Sequence, residues 1–422
     1  MGIIGIFLIL ALCFLISTNR RQVNYRTVCV GFILQFLIAF FILKTSIGQS
    51  IFKSLGSGIQ KILNFAVEGG NFVFGFLTDR PEKLTEVLGD GAGFIFALTL
   101  LPVLIFVMVL VNMLYYWGIM QKIILFFGKG MYKLMNITGA EAVSNIASAF
   151  IGQVEAQMLI QPHLKKMTNS QLLASMTGSL ACISGGIMAV YIGMGVPAEY
   201  LLAASFMAAP GALVVSKIVY PEDKNSEISK DIDLHKNTTA VNLIDTIAQG
   251  AITGMKVTGN IIAMLIALIA LIAFFNYGLG LLGNFMVHYL DIPAQIGVLN
   301  IENLSLSGLL GVLFAGFAFF LGVPANEIFT VGSLMGEKLV FNEFIAYLHM
   351  TSLETALSPK ALIIASFALC GFANFGSIAM QIGGIGELEP SRRKDLAKLA
   401  YRALVCGTLT SYISAALAGL LL

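Results

Sequence analysis

The sequence has little charge for its size. Only 11% of its 422 residues are Asp, Glu, Lys or Arg, whereas soluble domains usually carry about 25%. Because 57% of the residues are hydrophobic, this deficit argues against a soluble protein and predicts a polytopic membrane protein. The net charge of +2 is too small to indicate a nucleic-acid partner.

The sequence also lacks the patterns of a metal site or a disulfide framework. Its five cysteines lie in apolar segments, where cysteine usually acts as a small packing residue. It has no HExxH motif and no cysteine pair at metal-binding spacing. A formal GxGxxG match at 278–283 ends an apolar span with no strand before it. We therefore expect no bound metal, no phosphate loop and no cofactor.

Long apolar segments predict the membrane-crossing helices, because a helix needs about 20 apolar residues to cross the hydrocarbon core. The uninterrupted candidates are 3–18, 27–44, 94–117, 198–218, 255–285 and 401–422. Two more, 169–193 and 361–386, are interrupted by glycine and polar residues. We predict an all-α membrane protein with eight transmembrane helices and additional interfacial helices. The first helix lacks a basic n-region, so we expect it to be retained rather than cleaved as a signal peptide.

Two further segments carry a carboxylate and do not fit a simple crossing. Residues 142–161 have Glu155 near their centre and basic residues on both flanks. Residues 305–348 break at 322–327 and then carry Glu343, with flanks poor in basic residues. Because basic residues mark the cytoplasmic side, we predict two re-entrant hairpins that enter from opposite faces, with both termini outside. Non-helical backbone at that depth must be covered by protein or a water-filled cavity.

An internal repeat accompanies these hairpins. Residues 175–195 align with 366–386 at a constant offset of 191. A hairpin with a carboxylate precedes each copy, and a proline and another span follow it. Since the hairpins enter from opposite faces, the repeats are predicted to be inverted. Inverted repeats with interrupted helices are typical of secondary transporters, whose binding site lies near the membrane midplane.

Several polar residues in these segments are candidates for function. A carboxylate at membrane depth costs about 2.5–3.5 kcal/mol on insertion, which favours a function for Glu155 and Glu343. The structural alternative is a protonated or lysine-paired carboxylate, with Lys338 as a possible partner of Glu343. Gln153 has an amide suited to the edge of a heterocyclic base, or it satisfies the hairpin backbone.

The second interrupted helix contains GFANFGS, residues 371–377. There Asn374 and Ser377 lie three residues apart at a helix break, where both could bind sugar hydroxyls and Phe372 could pack on a ring. The alternative is that Asn374 and Ser377 only cap the backbone groups that the break leaves free.

Four motifs, in this order, resemble the concentrative nucleoside transporters: EGGNFVFG (68–75), GQVEAQMLIQPHL (152–164), VGSLMGEKLVFNEFIAYL (331–348) and LCGFANFGSIAM (369–380). The resemblance covers roughly residues 60–422. It implies a homotrimer in the cytoplasmic membrane of a bacterium, in which a transport domain moves like an elevator within a scaffold. It also implies a nucleoside substrate that contacts both hairpins.

The resemblance implies a role for each site residue. First-hairpin residues would contact the base, and residues of the second half would hold the ribose. The matching positions are Gln153, Val154 and Glu155 on the base side, and Glu343, Phe372, Asn374 and Ser377 on the ribose side. Val154 replaces the usual Thr or Ser and removes a hydroxyl from the base side.

The coupling ion is left open between a proton and sodium. Sodium-coupled members of the family share an Asn four residues before the hairpin Gly, and a Ser or Thr next to the Ile of the first broken helix. Ser148 and Cys182 occupy those positions here. Because sodium prefers hard oxygen ligands, the thiol favours proton coupling. Glu155 or Glu343, in a buried setting, could carry the proton.

We therefore expect a proton-coupled nucleoside symporter, with sodium coupling as the alternative and a membrane-embedded enzyme or a passive channel as rivals. An enzyme would need a nucleophile or metal ligand near its carboxylates, and none stands out. The expected division is 1–117 scaffold helices 1–3 with an interfacial helix, 118–139 an interfacial amphipathic helix, 140–218 the first transport repeat, 219–254 a cytoplasmic loop, 255–304 scaffold helix 6 with an interfacial segment, and 305–422 the second transport repeat.

Overall fold

The computed structural model describes residues 1–75, 77, 95–223, 240–353 and 356–421, and helices dominate these residues. Five helices come first: α1 (Gly2–Leu15), α2 (Tyr25–Lys44), α3 (Ser46–Phe74), α4 (Phe96–Tyr116) and α5 (Ile119–Met135). A short 3-10 helix, Arg20–Gln22, separates α1 from α2. The Asn24 side chain begins α2, because it accepts hydrogen bonds from the first free N–H groups.

The next six helices form the first predicted repeat. They are α6 (Gly139–Ile151), α7 (Glu155–Leu159), α8 (Gln161–Leu164), α9 (Asn169–Ala181), α10 (Gly185–Gly193) and α11 (Ala198–Val219). Capping boxes begin α6 at Thr138 and α9 at Thr168. Helix α6 ends at Gly152, whose φ of 119° an L side chain rarely adopts.

A long helix, α12 (Leu243–Leu290), follows. A two-stranded antiparallel hairpin, β1 (Gln295–Ile296) and β2 (Leu299–Asn300), connects it to α13 (Leu306–Leu321). The second repeat then contains α14 (Ile328–Val340), α15 (Glu343–Ser352), α16 (Pro359–Leu369), α17 (Phe375–Leu388) and α18 (Arg393–Leu421). A 3-10 turn, Pro390–Arg392, precedes α18.

Six segments in the described residues are long and apolar enough to cross a membrane, judged by length and composition. They are Tyr25–Lys44, Ala97–Tyr116, Asn169–Gly193, Ala198–Val219, Leu243–Leu290 and Pro390–Leu421. Shorter apolar helices are Gly2–Leu15, Leu306–Leu321 and Pro359–Leu369. Each apolar segment singled out in the sequence thus coincides with one helix or with a pair of half-helices.

The core lies around α9, α11 and α18, which are almost completely buried. Helices α4 and α12 pack along each other at one side, and α12 leaves most of its apolar side chains exposed. An apolar outer surface is what contact with lipid requires, since lipid-facing positions have no polar solvent.

The base of the first hairpin is anchored by buried charge. Glu141, in the first turn of α6, accepts hydrogen bonds from the Thr138 backbone and hydroxyl. Its other oxygen lies 2.5 Å from Nζ of Lys217, near the end of α11. Lys217 also lies 3.0 Å from Glu222. This ion pair fixes one arm of the hairpin to the core helix beside it.

One boundary predicted from the sequence differs from the structure. The loop predicted at 219–254 is shorter, because α12 already begins at Leu243, where Asn242 accepts a hydrogen bond from the Asp245 N–H. Residues 224–239 of that loop lie outside the described residues. The break predicted at 322–327 is confirmed as the turn between α13 and α14, which pack along each other.

A further break, at Phe341–Asn342, leads to Glu343. Asn342 begins α15 by accepting a hydrogen bond from the Ile345 N–H. The pair α14 and α15 therefore has the same order as α6 and α7, a helix followed by a break and a short helix that begins with glutamate. After this short helix, each repeat continues with two half-helices and then a long helix: α9, α10 and α11 in the first repeat, and α16, α17 and α18 in the second.

Candidate functional site

The two interrupted helices meet at their breaks. Helix α9 ends at Ala181, and α16 ends at Leu369. The Phe372 N–H donates to the Cys182 carbonyl at 3.3 Å. Gly371 allows this approach: its φ is 128°, and a Cβ on it would lie 2.7 Å from the Ala181 oxygen. Free helix ends of both repeats are thereby gathered at the centre of the molecule.

Glu343 is buried beside these breaks. Its Oε1 accepts a hydrogen bond of 2.8 Å from the Tyr191 hydroxyl, and its Oε2 accepts one of 3.0 Å from Nδ2 of Asn374. Asn374 is held in place because its Oδ1 caps α17 by accepting from the Ser377 N–H at 2.8 Å. A carboxylate with neutral donors on both oxygens keeps lone pairs available for a further hydroxyl donor.

Gln153 joins the first hairpin to this group. Its Nε2 donates to Oγ of Ser377 at 3.3 Å. Its Oε1 is buried and has no hydrogen-bond partner within the described residues. Buried polar atoms are nearly always paired in native structures, so an unpaired acceptor at a site marks a place for a donor on a bound molecule.

The structure therefore brings together Gln153, Glu343, Asn374 and Ser377, four of the residues that the sequence singled out. Phe372 lies in the same break and is buried, and its backbone N–H makes the contact between the two helices. Val154 packs on α17: a Cβ on Gly384 would lie 2.7 Å from Cγ1 of Val154. Its side chain thus fills the contact between the hairpin and the second half-helix.

Glu155 lies apart from this group. Its side chain is exposed and lines a cavity of about 200 Å³ between the hairpin, α4 and α12. Tyr115 and Asn112 of α4 line the same cavity. Within the described residues, Glu155 has no hydrogen bond to the Glu343 group. The hydrogen bonds of the described residues thus join Glu343, but not Glu155, to the group at the helix breaks.

The two ion-coupling candidates from the first repeat also point in different directions. The Ser148 hydroxyl lies 2.9 Å from Oγ of Ser179, which also accepts a hydrogen bond of 2.8 Å from Gln157. The Cys182 thiol instead lies 3.9 Å from the Ser205 carbonyl. The Ser148 hydroxyl is thus part of a buried chain of hydrogen bonds with Ser179 and Gln157, and the Cys182 thiol does not belong to that chain.

Lys338 does not pair with Glu343. Its Nζ donates to the Ala368 carbonyl at 3.1 Å and to Oγ of Ser411 at 3.3 Å. In the described residues, no ion pair within 4.0 Å joins the two charges.

Tyr191 also belongs to this buried group, and the sequence analysis missed it. It is fully buried in α10, its ring lies 4.6 Å from that of Tyr347, and its hydroxyl reaches Glu343. A tyrosine inside an apolar half-helix is a clue, because a buried phenol needs a partner. The partner itself is distant in sequence and could not be inferred.

Three family models match almost the whole chain. Residues 4–77 match the N-terminal and residues 200–419 the C-terminal model of the Na⁺ dependent nucleoside transporters. Residues 97–198 match a gate model described as nucleoside recognition.

Relatives of this chain are transporters. A nucleoside permease of Helicobacter pylori, NupC, is 36% identical over 99% of this chain and 97% of its own. An uncharacterized transporter of Bacillus subtilis, YutK, is 39% identical over 99% and 98%. Solute carrier family 28 member 3 of Mus musculus is 36% identical over 99% of this chain and 58% of that protein.

Solved structures share the fold. The transporter CNTnw in an inward-facing substrate-bound state has a TM-score of 0.91 and 38% identity, covering 100% of this chain and 97% of that one. A variant of it in an outward-facing state has a TM-score of 0.92. Fold, motifs and family models agree: the chain belongs to the concentrative, Na⁺ dependent nucleoside transporter family.

Proposed function

We propose that this protein imports nucleosides across the cytoplasmic membrane of a bacterium by symport with a proton. The observation that carries the proposal is the buried group formed by Glu343, Tyr191 and Asn374, next to the Gln153–Ser377 pair. It combines a carboxylate with an unpaired amide oxygen, and it lies where the two helix breaks cross.

A nucleoside suits this group chemically. A carboxylate accepts hydrogen bonds from ribose hydroxyls, and such bonds to a charged group contribute about 1.5–3 kcal/mol each. The Gln153 amide offers two donors and one acceptor, which matches the polar edge of a base. Ser377, between Gln153 and Asn374, would contact the sugar. Glu155, on the cavity side of the hairpin, would contact the base from the path by which solute leaves.

A proton suits the first repeat better than sodium. Sodium is bound by several hard oxygen ligands, whereas Cys182 offers a thiol and the Ser148 hydroxyl is engaged with Ser179. Sodium coupling remains the second candidate, because the matching family models describe Na⁺ dependent transporters. In the proton model, Glu343 or Glu155 carries the proton, and coupling arises because the moving state is favoured only when both ligands are bound.

The proposed architecture is an elevator in a homotrimer. Eight transmembrane helices and two opposed re-entrant hairpins would form inverted repeats, with both termini outside. Helices α3, α4 and α12 would belong to the scaffold, and the two repeats would move together. The sequence assigned α1 and α2 to the scaffold as well, but their packing against α11 and α18 favours the moving unit.

Transport and coupling can be tested in proteoliposomes. Labelled uridine and inosine would be offered with a pH gradient or a sodium gradient imposed separately. We expect accumulation above the external concentration with the pH gradient alone. Stimulation by sodium alone would replace the proton model by the sodium model. If neither gradient stimulates accumulation, both coupling models fail, and equilibration without accumulation would indicate a channel.

A further inference from the structure

Ser148 and Lys338 both lie in the last turn of a helix that ends at a break, one in each repeat. Ser148 lies on α6, four residues before Gly152 at the first hairpin break. Lys338 lies on α14, four residues before Asn342 at the second hairpin break. Each side chain points to the half-helix that follows its hairpin: Ser148 contacts Ser179 on α9, and Lys338 contacts Ala368 on α16.

Lys338 is completely buried, with 0% of its surface exposed. Its ammonium group caps the carbonyl end of α16. It donates to the Ala368 carbonyl, and it reaches the next free carbonyl through Ser411, whose Oγ donates to the Cys370 oxygen at 2.7 Å. The Tyr347 hydroxyl donates to the Ser366 carbonyl at 2.7 Å. Carbonyls that a helix end leaves free carry partial negative charge, so a cation is stabilised there.

The first break has no such group. In the parts of the chain that the structure describes, no lysine or arginine donates to the last turn of α9. The Gly178 carbonyl accepts from the Cys182 N–H, and the Cys182 carbonyl accepts from Phe372. Two breaks related by the repeat therefore differ in one respect: a fixed positive charge lies at the second and none at the first.

We propose that the Lys338 ammonium is a built-in cation of the second helix break that stabilises the free carbonyl end of α16. Lys338 is then a positioning residue. It holds the end of α16, and through the break it holds Asn374, the donor to Glu343.

Charge balance supports this role. A buried lysine with only neutral partners is costly unless an opposite charge lies nearby. Glu343 lies five residues further along, across the break at Phe341–Asn342, and it is also buried with neutral partners. The two charges, each solvated by its own dipoles, leave the centre of the molecule neutral. Removing the ammonium would leave the Glu343 carboxylate uncompensated.

A cavity rescue tests the inference on purified protein without a nucleoside. Lys338→Ala removes the charge and leaves space, whereas Lys338→Met removes the charge and fills the space. We expect methylammonium chloride to raise the unfolding midpoint of Lys338→Ala by several degrees, and to leave that of Lys338→Met and of the unchanged protein where it was. Tetramethylammonium chloride at equal ionic strength, whose cation is too large for the space, should have no effect on any of them.

The second readout is nucleoside affinity, measured by the binding of labelled uridine. We expect both variants to bind it about tenfold more weakly or worse, because a buried charge loses its compensation, and methylammonium to restore only Lys338→Ala. A folded Lys338→Ala protein that methylammonium neither stabilises nor restores would overturn the proposal. If Lys338→Ala does not fold, normal uridine affinity of Lys338→Met overturns it and lost affinity supports it.

The expected loss of uridine affinity rests on the proposed function, but the rescue of the unfolding midpoint does not. If the unchanged protein transports no nucleoside, the proposed function fails while the effect of methylammonium on the unfolding midpoint still decides the role of Lys338. If the unchanged protein transports and Lys338→Met transports equally well, only the present inference fails.

Discussion

At the residue scale, Glu343 is the centre of the proposed site. It is the first residue of a short helix, and both of its oxygens accept hydrogen bonds from residues of other helices. Its position therefore depends on both repeats at once. A change at this residue should affect binding most directly, because both of its oxygens face the breaks at which the candidate site lies.

Glu343→Gln should reduce uptake about a hundredfold or more, because it removes the charge and one acceptor, each worth about 1.5–3 kcal/mol to a bound hydroxyl. Initial uptake of labelled uridine into proteoliposomes measures this. Glu337→Gln is the matched control. Glu337 is also a buried carboxylate of the second hairpin, but it binds Ser307 and His349. It should keep most of the uptake, and normal uptake by Glu343→Gln would refute the site assignment.

Tyr191→Phe should weaken nucleoside affinity about tenfold, since losing one donor to a buried carboxylate costs about 1–3 kcal/mol. The measurement is the half-saturation concentration of uridine uptake at constant protein amount. Tyr347→Phe serves as control: its hydroxyl binds the Ser366 carbonyl rather than Glu343, so it should lower the unfolding midpoint and leave affinity nearly unchanged. Equal affinity losses in both variants would assign the Tyr191 effect to packing.

Members of the buried group at the candidate site could be singled out where a polar side chain interrupts an apolar run, as at Gln153, Glu343 and Asn374. The hydrogen-bond partners of these residues could not be predicted, because they come from other parts of the chain. Tyr191 looks like an ordinary core residue until the fold places its hydroxyl at Glu343. Lys338 was paired with Glu343 on sequence proximity, whereas the structure turns it toward the end of α16.

At the scale of elements, the crossing of the two interrupted helices organises the site. Their breaks contact each other through one backbone hydrogen bond and one close approach at Gly371. The sequence predicted both interruptions, since glycine and polar residues stop an apolar helix. It could not predict the crossing, which depends on packing between halves about 190 residues apart.

The sequence predicted only the first of two breaks between residues 305 and 348. Gly322 and Pro324 form an obvious turn, and the apolar run after them reads as one helix. The second break, at Phe341–Asn342, has no glycine or proline. It arises because the Asn342 side chain caps a new helix, a role that asparagine takes readily but that is hard to distinguish from an ordinary helical position.

Gly371→Ala should lower the unfolding midpoint by several degrees in detergent. A φ of 128° strains an L residue by about 1–3 kcal/mol, and the new methyl would lie 2.7 Å from the Ala181 carbonyl oxygen. Gly383→Ala, in α17, is the control because a Cβ there meets nothing within 4 Å. It should leave the midpoint unchanged or raise it slightly. Equal midpoints for the two variants would show that the crossing is not needed for stability.

At the scale of the whole molecule, the packing of α1 and α2 favours a moving unit larger than the two repeats. Nε2 of Gln35 on α2 donates to Oγ of Ser414 on α18 at 3.0 Å, and this bond is buried. The Thr18 N–H donates to the Val219 carbonyl at 2.9 Å. A sliding surface between α2 and α18 would have to break the buried Gln35–Ser414 bond in each cycle, at a cost of about 1–3 kcal/mol for every polar group left unpaired.

A disulfide between α1 and α18 tests this division. A Cβ on Gly2 would lie 3.5 Å from Cβ of Leu420, within the range of about 3.5–4.5 Å that disulfides use. The variant Gly2→Cys/Leu420→Cys, with the exposed Cys29 replaced by serine, should transport equally well when oxidised and when reduced. Loss of uptake on oxidation, with recovery after reduction, would place α1 in the scaffold instead.

The length of α12 has a consequence for the membrane itself. An unbroken helix of 48 residues extends about 72 Å at about 1.5 Å per residue, whereas the hydrocarbon core is about 30 Å thick. Such a helix extends beyond the hydrocarbon core at one or both ends, and its tilt depends on its packing against neighbouring helices as well as on bilayer thickness. A mismatch between the apolar length of a helix and the thickness of the hydrocarbon core costs a fraction of a kcal/mol per ångström. The acyl-chain length of the lipids should therefore change the transport rate. The transport rate would then depend on the lipid composition of the host membrane as well as on the protein.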